Sequence, residues 1–98
     1  MDPETSLIVF QGKGMRRAWH DERWYFSIID ITAILTGSSI PRRYWSDLKI
    51  KLKEEGFEMY DKIVQLKLPA SDGKSYETDC ADTETLLRIT HPTKFNVT

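Results

Sequence analysis

Residues 38–56, SSIPRRYWSDLKIKLKEEG, have the pattern of one helix with a clear start and end. Ser38 or Ser39 can cap the free N–H groups, and Pro41 suits the first turn, where its missing donor costs nothing. Gly56 ends the helix, because glycine readily takes the left-handed conformation of a helix C-terminus. We expect the rest of the chain to be organised around this segment.

This helix has an apolar face and a basic edge beside it. At about 100° per residue, one face carries Trp45, Leu48 and Leu52. The edge next to it, which we call the basic edge, carries Arg42, Ser46, Lys49 and Lys53. We predict that the apolar face is buried, so that Trp45→Ala costs roughly 3–5 kcal/mol. The basic edge is predicted to remain in water.

Composition limits the possible functions. A chain of 98 residues is one domain by size, and its net charge of −1 means that any nucleic-acid role depends on local segregation of charge. Cys80, the one cysteine, can form neither an internal disulfide nor a thiolate metal site by itself. No apolar run is long enough to span a membrane and the sequence has no basic-then-apolar start like that of a signal peptide, so we expect a cytoplasmic location.

The N-terminal half predicts a β-meander followed by a helix. Alternating or β-prone runs at 6–10, 15–19 and 24–26 are separated by turn residues. A helix then begins at Ser27, which is a plausible N-cap with Asp30 as its acidic partner, and ends before Gly37. Since this role of Asp30 is modest, we expect Asp30→Asn to cost about 1 kcal/mol or less.

The C-terminal half predicts a second hairpin and a closing helix. Alternation over 63–68 and 75–80 surrounds a loop that contains the turn signal Asp72-Gly73. Asp82 or Thr83 caps a last helix, which must end near His91 because Pro92 follows. The fold class is therefore α+β: one small domain with an N-terminal meander, two consecutive helices, a second hairpin and a short C-terminal helix.

Four segments in this order carry a resemblance to a known family: WHDE (19–22), WYFSIIDI (24–31), PRRYWSDLK (41–49) and DCADTE (79–84). Together they resemble the BRO N-terminal domain of phage and prophage antirepressors and baculovirus repeated-ORF proteins. The resemblance runs from about Ile8 to Ile89, which makes 1–90 a BRO-N-like domain and 91–98 an unassigned tail. It implies a DNA-binding regulatory module, and it supplies no catalytic residues, so no enzyme is expected.

The basic edge is the candidate DNA-binding surface. Lysines and arginines at phosphate spacing supply most of the affinity for duplex DNA, and an arginine can also bind guanine through two hydrogen bonds. About four phosphate contacts predict only weak binding, so a homodimer or a second surface is needed. The candidate residues are Arg42, Arg43, Tyr44, Ser46, Lys49 and Lys53, with Arg16 and Arg17 on a second surface, where Lys62, Lys67 and Lys74 of the hairpin are further candidates.

Three other interpretations remain open. The basic edge is also compatible with an ordinary solvated helix face, or with a module that titrates a repressor protein and never touches DNA. The acidic residues Asp79, Asp82 and Glu84, with His20, Asp21 and Glu22, could be combined into a metal-dependent nuclease. A helix cap, a wet strand face and a turn explain these acidic residues more simply, so we predict no metal and no cofactor.

Overall fold

The computed structural model describes residues 4–56 and 58–90, and it confirms the predicted α+β class. Five antiparallel strands form one curled sheet, with three α-helices and a short 3-10 helix at Glu58–Lys62. The strands are β1 (Glu4–Phe10), β2 (Lys13–His20), β3 (Arg23–Ser27), β4 (Val64–Pro69) and β5 (Ser75–Ala81). The helices are α1 (Ile28–Thr36), α2 (Pro41–Glu54) and α3 (Thr83–Thr90).

The sheet consists of a three-stranded meander joined to a hairpin, in the order β1-β2-β3-β5-β4. Both turns of the meander have two residues, and each of these four residues has a positive φ: Gln11, Gly12, Asp21 and Glu22. The join between meander and hairpin is short, because β3 pairs with β5 only at Phe26↔Ala81 and Ser27↔Cys80. The two halves of the sheet thus meet along a narrow seam.

Apolar side chains form a cluster on each face of the sheet. The larger cluster lies between the sheet and the helices and contains Met15, Ile28, Ile31, Trp45, Leu52, Ala81, Leu86 and Ile89. The smaller cluster lies on the opposite face and contains Ala18, Tyr25, Leu66, Leu68 and Cys80, which all come from strands. The curl of the sheet brings β2 close to β4, and both strands contribute side chains to this second cluster.

The predicted start and end of α1 are confirmed. Ser27 is the N-cap, and its hydroxyl accepts a hydrogen bond of 3.2 Å from the backbone N–H of Asp30. Gly37 closes the helix at φ 68°, a left-handed conformation that suits glycine. Ile28 and Ile31 are buried. Leu35, one turn further along α1 from Ile31, is 45% exposed and lines an apolar groove.

The burial predicted for α2 is confirmed, but its predicted N-cap is wrong. Trp45 and Leu52 are 2% and 5% exposed, and Leu48 is partly buried against the same cluster. The N-cap is Ile40, which has no side-chain oxygen to offer the first turn. Ser38 lies too early, and its hydroxyl instead accepts a 3.0 Å hydrogen bond from the Ile40 N–H in the preceding turn.

The closing elements follow the sequence pattern, with one correction. Asp82 caps α3, since its carboxylate accepts a 2.9 Å hydrogen bond from the Thr85 N–H. Alternation over 75–80 places Tyr76 on the same strand face as Thr78 and Cys80, which are buried, but Tyr76 is 48% exposed because it lies near the hairpin loop and its hydroxyl donates to Asp72. The predicted end of α3 near His91 and the unassigned tail 91–98 lie outside the described residues.

Candidate nucleic-acid interface

A polar cleft separates the basic edge of α2 from the β4–β5 hairpin. Its volume is about 260 Å³, and only the hairpin wall carries acidic groups. The α2 wall carries Arg42, Ser46 and Lys49, and the hairpin wall carries Gln65, Glu77 and Asp79, while Arg16 lies at one end. The structure thus brings four of the predicted DNA-binding residues, Arg16, Arg42, Ser46 and Lys49, to one place.

Asp79 holds α2 against the hairpin. One carboxylate oxygen accepts hydrogen bonds of 2.8 Å from Trp45 Nε1 and from Lys49 Nζ, and the other accepts one of 3.2 Å from Gln65. Burial raises the pKa of Asp79, but these three donors outweigh it and leave the pKa below its ordinary value. Asp79 was expected on a wet strand face, and that prediction is wrong because α2 covers it.

Lys49 is consequently a paired residue at the wall of the cleft. Its Nζ lies 2.8 Å from Asp79, and its side chain is 34% exposed where that of Asp79 is 11% exposed. Asp79 neutralises much of the field that this lysine would offer to a phosphate. The expectation that Lys49 stands free in water on the basic edge therefore requires correction, since it contributes to the attachment of α2.

Arg16 forms the second ion pair of this region. Its backbone N–H, Nε and one terminal nitrogen each donate a 2.9 Å hydrogen bond to Asp30, and another terminal nitrogen donates to the carbonyl of Pro69. The hydrogen bond to Asp30 raises the pKa of Arg16 despite partial burial. Asp30 lies in the first turn of α1 as expected, and its carboxylate also joins β2 to α1, a contact that the sequence did not predict.

The remaining predicted residues on α2 are exposed. Arg42, Arg43, Tyr44, Ser46 and Lys53 all lie at the surface, and Tyr44 is 46% exposed. Within residues 4–56 and 58–90, the three arginine and lysine side chains among them take part in no ion pair. Arg42 and Lys53 share the basic edge, whereas Arg43 and Tyr44 point to other sides of the helix. Arg42, Arg43 and Lys53 are therefore accessible to a partner molecule.

Arg17 lies apart from the cleft. Its guanidinium carbon is 3.8 Å from the centroid of the Trp24 ring, and its Nε donates a 2.8 Å hydrogen bond to Ser6. Trp19 makes an edge contact with Trp24 and is 43% exposed. Arg17 thus belongs to a separate aromatic surface on β2 and β3.

The acidic residues considered for a nuclease are divided between two places. Asp79 lies under α2, while Asp82 accepts a 2.8 Å hydrogen bond from Arg23 and caps α3. Burial raises the pKa of Asp82, but the Thr85 and Arg23 donors outweigh it and lower the pKa overall. No group of three His, Cys, Asp or Glu side chains in the described ranges could hold a metal ion.

Several cleft residues have no signal in the sequence. Gln65, Glu77 and Asp79 alternate along their strands as any exposed strand face does, and periodicity does not say which helix a strand face meets. Cys80 is fully buried, and burial raises its pKa to about 12. No helix in the described part of the chain combines the length and apolar character that crossing a membrane requires.

Comparison with known proteins gives no further assignment. No protein-family model, no curated protein and no solved structure matches the chain. The likeness of segments 19–22, 24–31, 41–49 and 79–84 to the BRO N-terminal domain therefore remains an expectation.

Proposed function

We propose that this domain is a DNA-binding regulatory module of the phage or prophage antirepressor type. In this proposal the chain is a cytoplasmic, non-enzymatic regulator, and the exposed cations of α2 bind the phosphate backbone of duplex DNA. The observation that carries the proposal is the exposure of Arg42 and Lys53 on one edge of a helix whose neighbouring face is fixed in the core. When unpaired arginine and lysine side chains bind phosphates, the DNA releases its condensed counterions. This release is the main source of non-specific affinity.

The attachment of α2 also supports this function. Trp45 and Lys49 both bond to Asp79, so the helix is fixed to the sheet by polar contacts as well as by apolar packing. A rigid helix presents Arg42 and Lys53 in a constant arrangement, which lowers the entropy lost on binding. Ser46 lies between them on the same edge and can donate its hydroxyl to a phosphate oxygen.

A salt titration of DNA binding tests this proposal. Fluorescence anisotropy with a random duplex should show weak binding, with log K falling linearly against log salt concentration. Arg42→Ala and Lys53→Ala should each reduce the magnitude of that slope by about one unit. Lys51→Ala is the matched control, because it removes the same charge from an exposed position of α2 outside the basic edge.

Two outcomes would exclude DNA binding as the function of this domain. The first is the absence of wild-type binding at low salt, and the second is an equal effect of Lys51→Ala and Lys53→Ala. Either result would favour the second candidate function, a module that titrates a repressor protein. That alternative is supported by Ile40 and Tyr44, which are 59% and 46% exposed and lie one turn apart at the start of α2. Such a pair of apolar side chains suits a protein surface better than a phosphate backbone.

A further inference from the structure

Strand β1 forms an edge of the sheet, and it lacks the usual protection of an edge strand. Only its β2 side is paired within the described residues. Natural edge strands usually carry charged residues or proline that discourage pairing with another chain. Apart from Glu4 at the start of β1, the strand sequence TSLIVF (5–10) has neither, and Leu7 and Val9 are 66% and 75% exposed. Among the described residues, no segment pairs with this edge, so it can accept a further strand.

The hairpin turn determines which backbone groups of β1 are open. Gln11 and Gly12 have φ of 54° and 79°, as in a two-residue type I′ turn, and Phe10 and Lys13 form the closing pair. The closing pair of such a hairpin is hydrogen-bonded, and hydrogen-bonded pairs alternate along an antiparallel ladder. The N–H and C=O groups of Thr5, Leu7 and Val9 therefore point away from β2, to the side of β1 that pairs with no strand among the described residues.

We propose that two copies of this chain pair antiparallel along β1, with the two-fold axis at Leu7. This register places Leu7 opposite Leu7 of the second copy and Thr5 opposite Val9, so Leu7 of one copy covers Leu7 of the other and Val9 packs against the Thr5 side chain. The open backbone groups of Thr5, Leu7 and Val9 fall on the facing side. Directly opposite side-chain pairs are the unit of stabilisation in antiparallel sheets.

Charge supports a second copy as the occupant of this edge. A charged peptide would find no opposite charge between Thr5 and Phe10, whereas a second β1 strand is uncharged over the same residues. The net charge of −1 per chain adds little repulsion between two copies. The seven residues of β1 span ~24 Å at ~3.4 Å per residue, so the interface is small and the dimer is weak and concentration-dependent.

Such a dimer would supply what a single chain lacks for DNA binding. One chain offers few unpaired cations on α2, whereas a dimer presents two basic edges in fixed relation, and linked sites bind more tightly than either alone. The dimer itself does not depend on DNA binding, and it can be measured without DNA. Failure of one proposal can thus be distinguished from failure of the other.

Sedimentation of the full chain over a range of concentrations tests the dimer. The wild-type mass should rise from one chain towards two as concentration increases. Val9→Lys should remain a monomer at every concentration, because the ammonium group would oppose its partner strand at a position that is 75% exposed in the single chain. Ile50→Lys is the matched control, since Ile50 is 56% exposed on α2 and should leave dimerisation unchanged.

Three results would overturn the proposal. They are a wild-type chain that stays monomeric, a Val9→Lys variant that still dimerises, and equal loss in Val9→Lys and Ile50→Lys. If the wild-type chain stays monomeric and Val9→Lys lowers its melting temperature, another segment of the same chain covers the edge of β1. Circular dichroism of each variant shows that it is folded.

Cross-linking tests the position of the two-fold axis. Opposed hydrogen-bonded residues have Cα atoms ~5.5 Å apart, which lies within the range of a disulfide. Leu7→Cys should therefore give a covalent dimer with oxidised glutathione, whereas Ile50→Cys should not. The native thiol should not form cross-links in either variant, because Cys80 is fully buried. A Leu7→Cys chain that cross-links no faster than Ile50→Cys would overturn this register.

Discussion

At the scale of single residues, the polar side chains of this protein are placed by partners distant in the chain. Arg16 pairs with Asp30, which is 14 positions away in the sequence. The separation is 30 positions for Lys49 and Asp79 and 59 positions for Arg23 and Asp82. Each pair joins a strand to a helix or to the residue that caps one. Residues that appear to be surface charges in the sequence are thus structural contacts between elements.

Asp30 provides the prediction at this scale. Its carboxylate receives three hydrogen bonds from Arg16, and the side chains of the pair are only 24% and 17% exposed. Asp30→Asn should lower the free energy of unfolding by about 2–3 kcal/mol, because hydrogen bonds to a charged group are lost and Arg16 is left without a counter-charge. Urea unfolding measures this difference.

Asp47→Asn serves as its control, because Asp47 is an exposed residue of α2. Its effect should stay within about 0.5 kcal/mol of zero. Equal losses of unfolding free energy in Asp30→Asn and Asp47→Asn would mean that the ion pair between Arg16 and Asp30 does not stabilise the fold.

Periodicity could predict which side chains are buried, but it could not identify these pairs. The spacing of Trp45, Leu48 and Leu52 fixes one face of a helix, and that face is the buried one. The same spacing places Lys49 beside that face without indicating what lies across from it. Asp79 meets Lys49 because of how the hairpin docks on α2, and docking depends on the whole sheet.

At the scale of elements, the residues that cap helices predict where the helices begin and end. Ser27 and Gly37 bound α1 because a hydroxyl and a left-handed glycine satisfy the end groups of a helix. The start of α2 differs, since Pro41 begins it without any side-chain cap at Ile40. Proline preorganises the first turn, and this is sufficient when the buried face of Trp45 and Leu52 supplies most of the stability.

Trp45 provides the prediction for α2. Trp45→Ala should cost roughly 3–5 kcal/mol, because a ring that is 2% exposed leaves a large cavity. Trp45→Phe should cost less, since it keeps an aromatic ring but removes the Nε1 donor to Asp79 and part of the buried volume. Thermal and urea unfolding measure both losses.

Tyr44→Ala is the matched control for these variants, as the neighbouring ring is 46% exposed. Its cost should be well below that of Trp45→Ala. A Trp45→Ala melting temperature within a degree or two of the wild type would contradict the burial of this helix face.

At the scale of the whole molecule, two buried carboxylates make stability depend on pH. Asp79 and Asp82 both have a pKa below the ordinary value, owing to their hydrogen-bond donors. A carboxylate with a lower pKa in the folded chain binds fewer protons there than in the unfolded chain. Its contribution is therefore fully present above the unfolded pKa of about 3.9 and is lost as the pH falls through the folded pKa.

We therefore expect the free energy of unfolding to be nearly constant from pH 7 to about 5 and to fall towards pH 3. Asp79→Asn should be less stable at neutral pH and should lose less stability on acidification, because one of the linked groups no longer titrates. Urea unfolding at several pH values gives both curves. An Asp79→Asn curve that runs parallel to the wild type throughout would exclude Asp79 from the acid dependence.

The narrow seam between β3 and β5 determines the order in which the chain can fold. The meander and the β4–β5 hairpin each consist of strands that are neighbours in sequence, so their contacts form after short loops close. The seam has only the pairs Phe26↔Ala81 and Ser27↔Cys80, and it requires closure of the long stretch that contains α1 and α2. The entropy of closing a loop of this length is lost before those contacts form. We therefore expect the joining of the meander to the hairpin to be slower than the formation of either half.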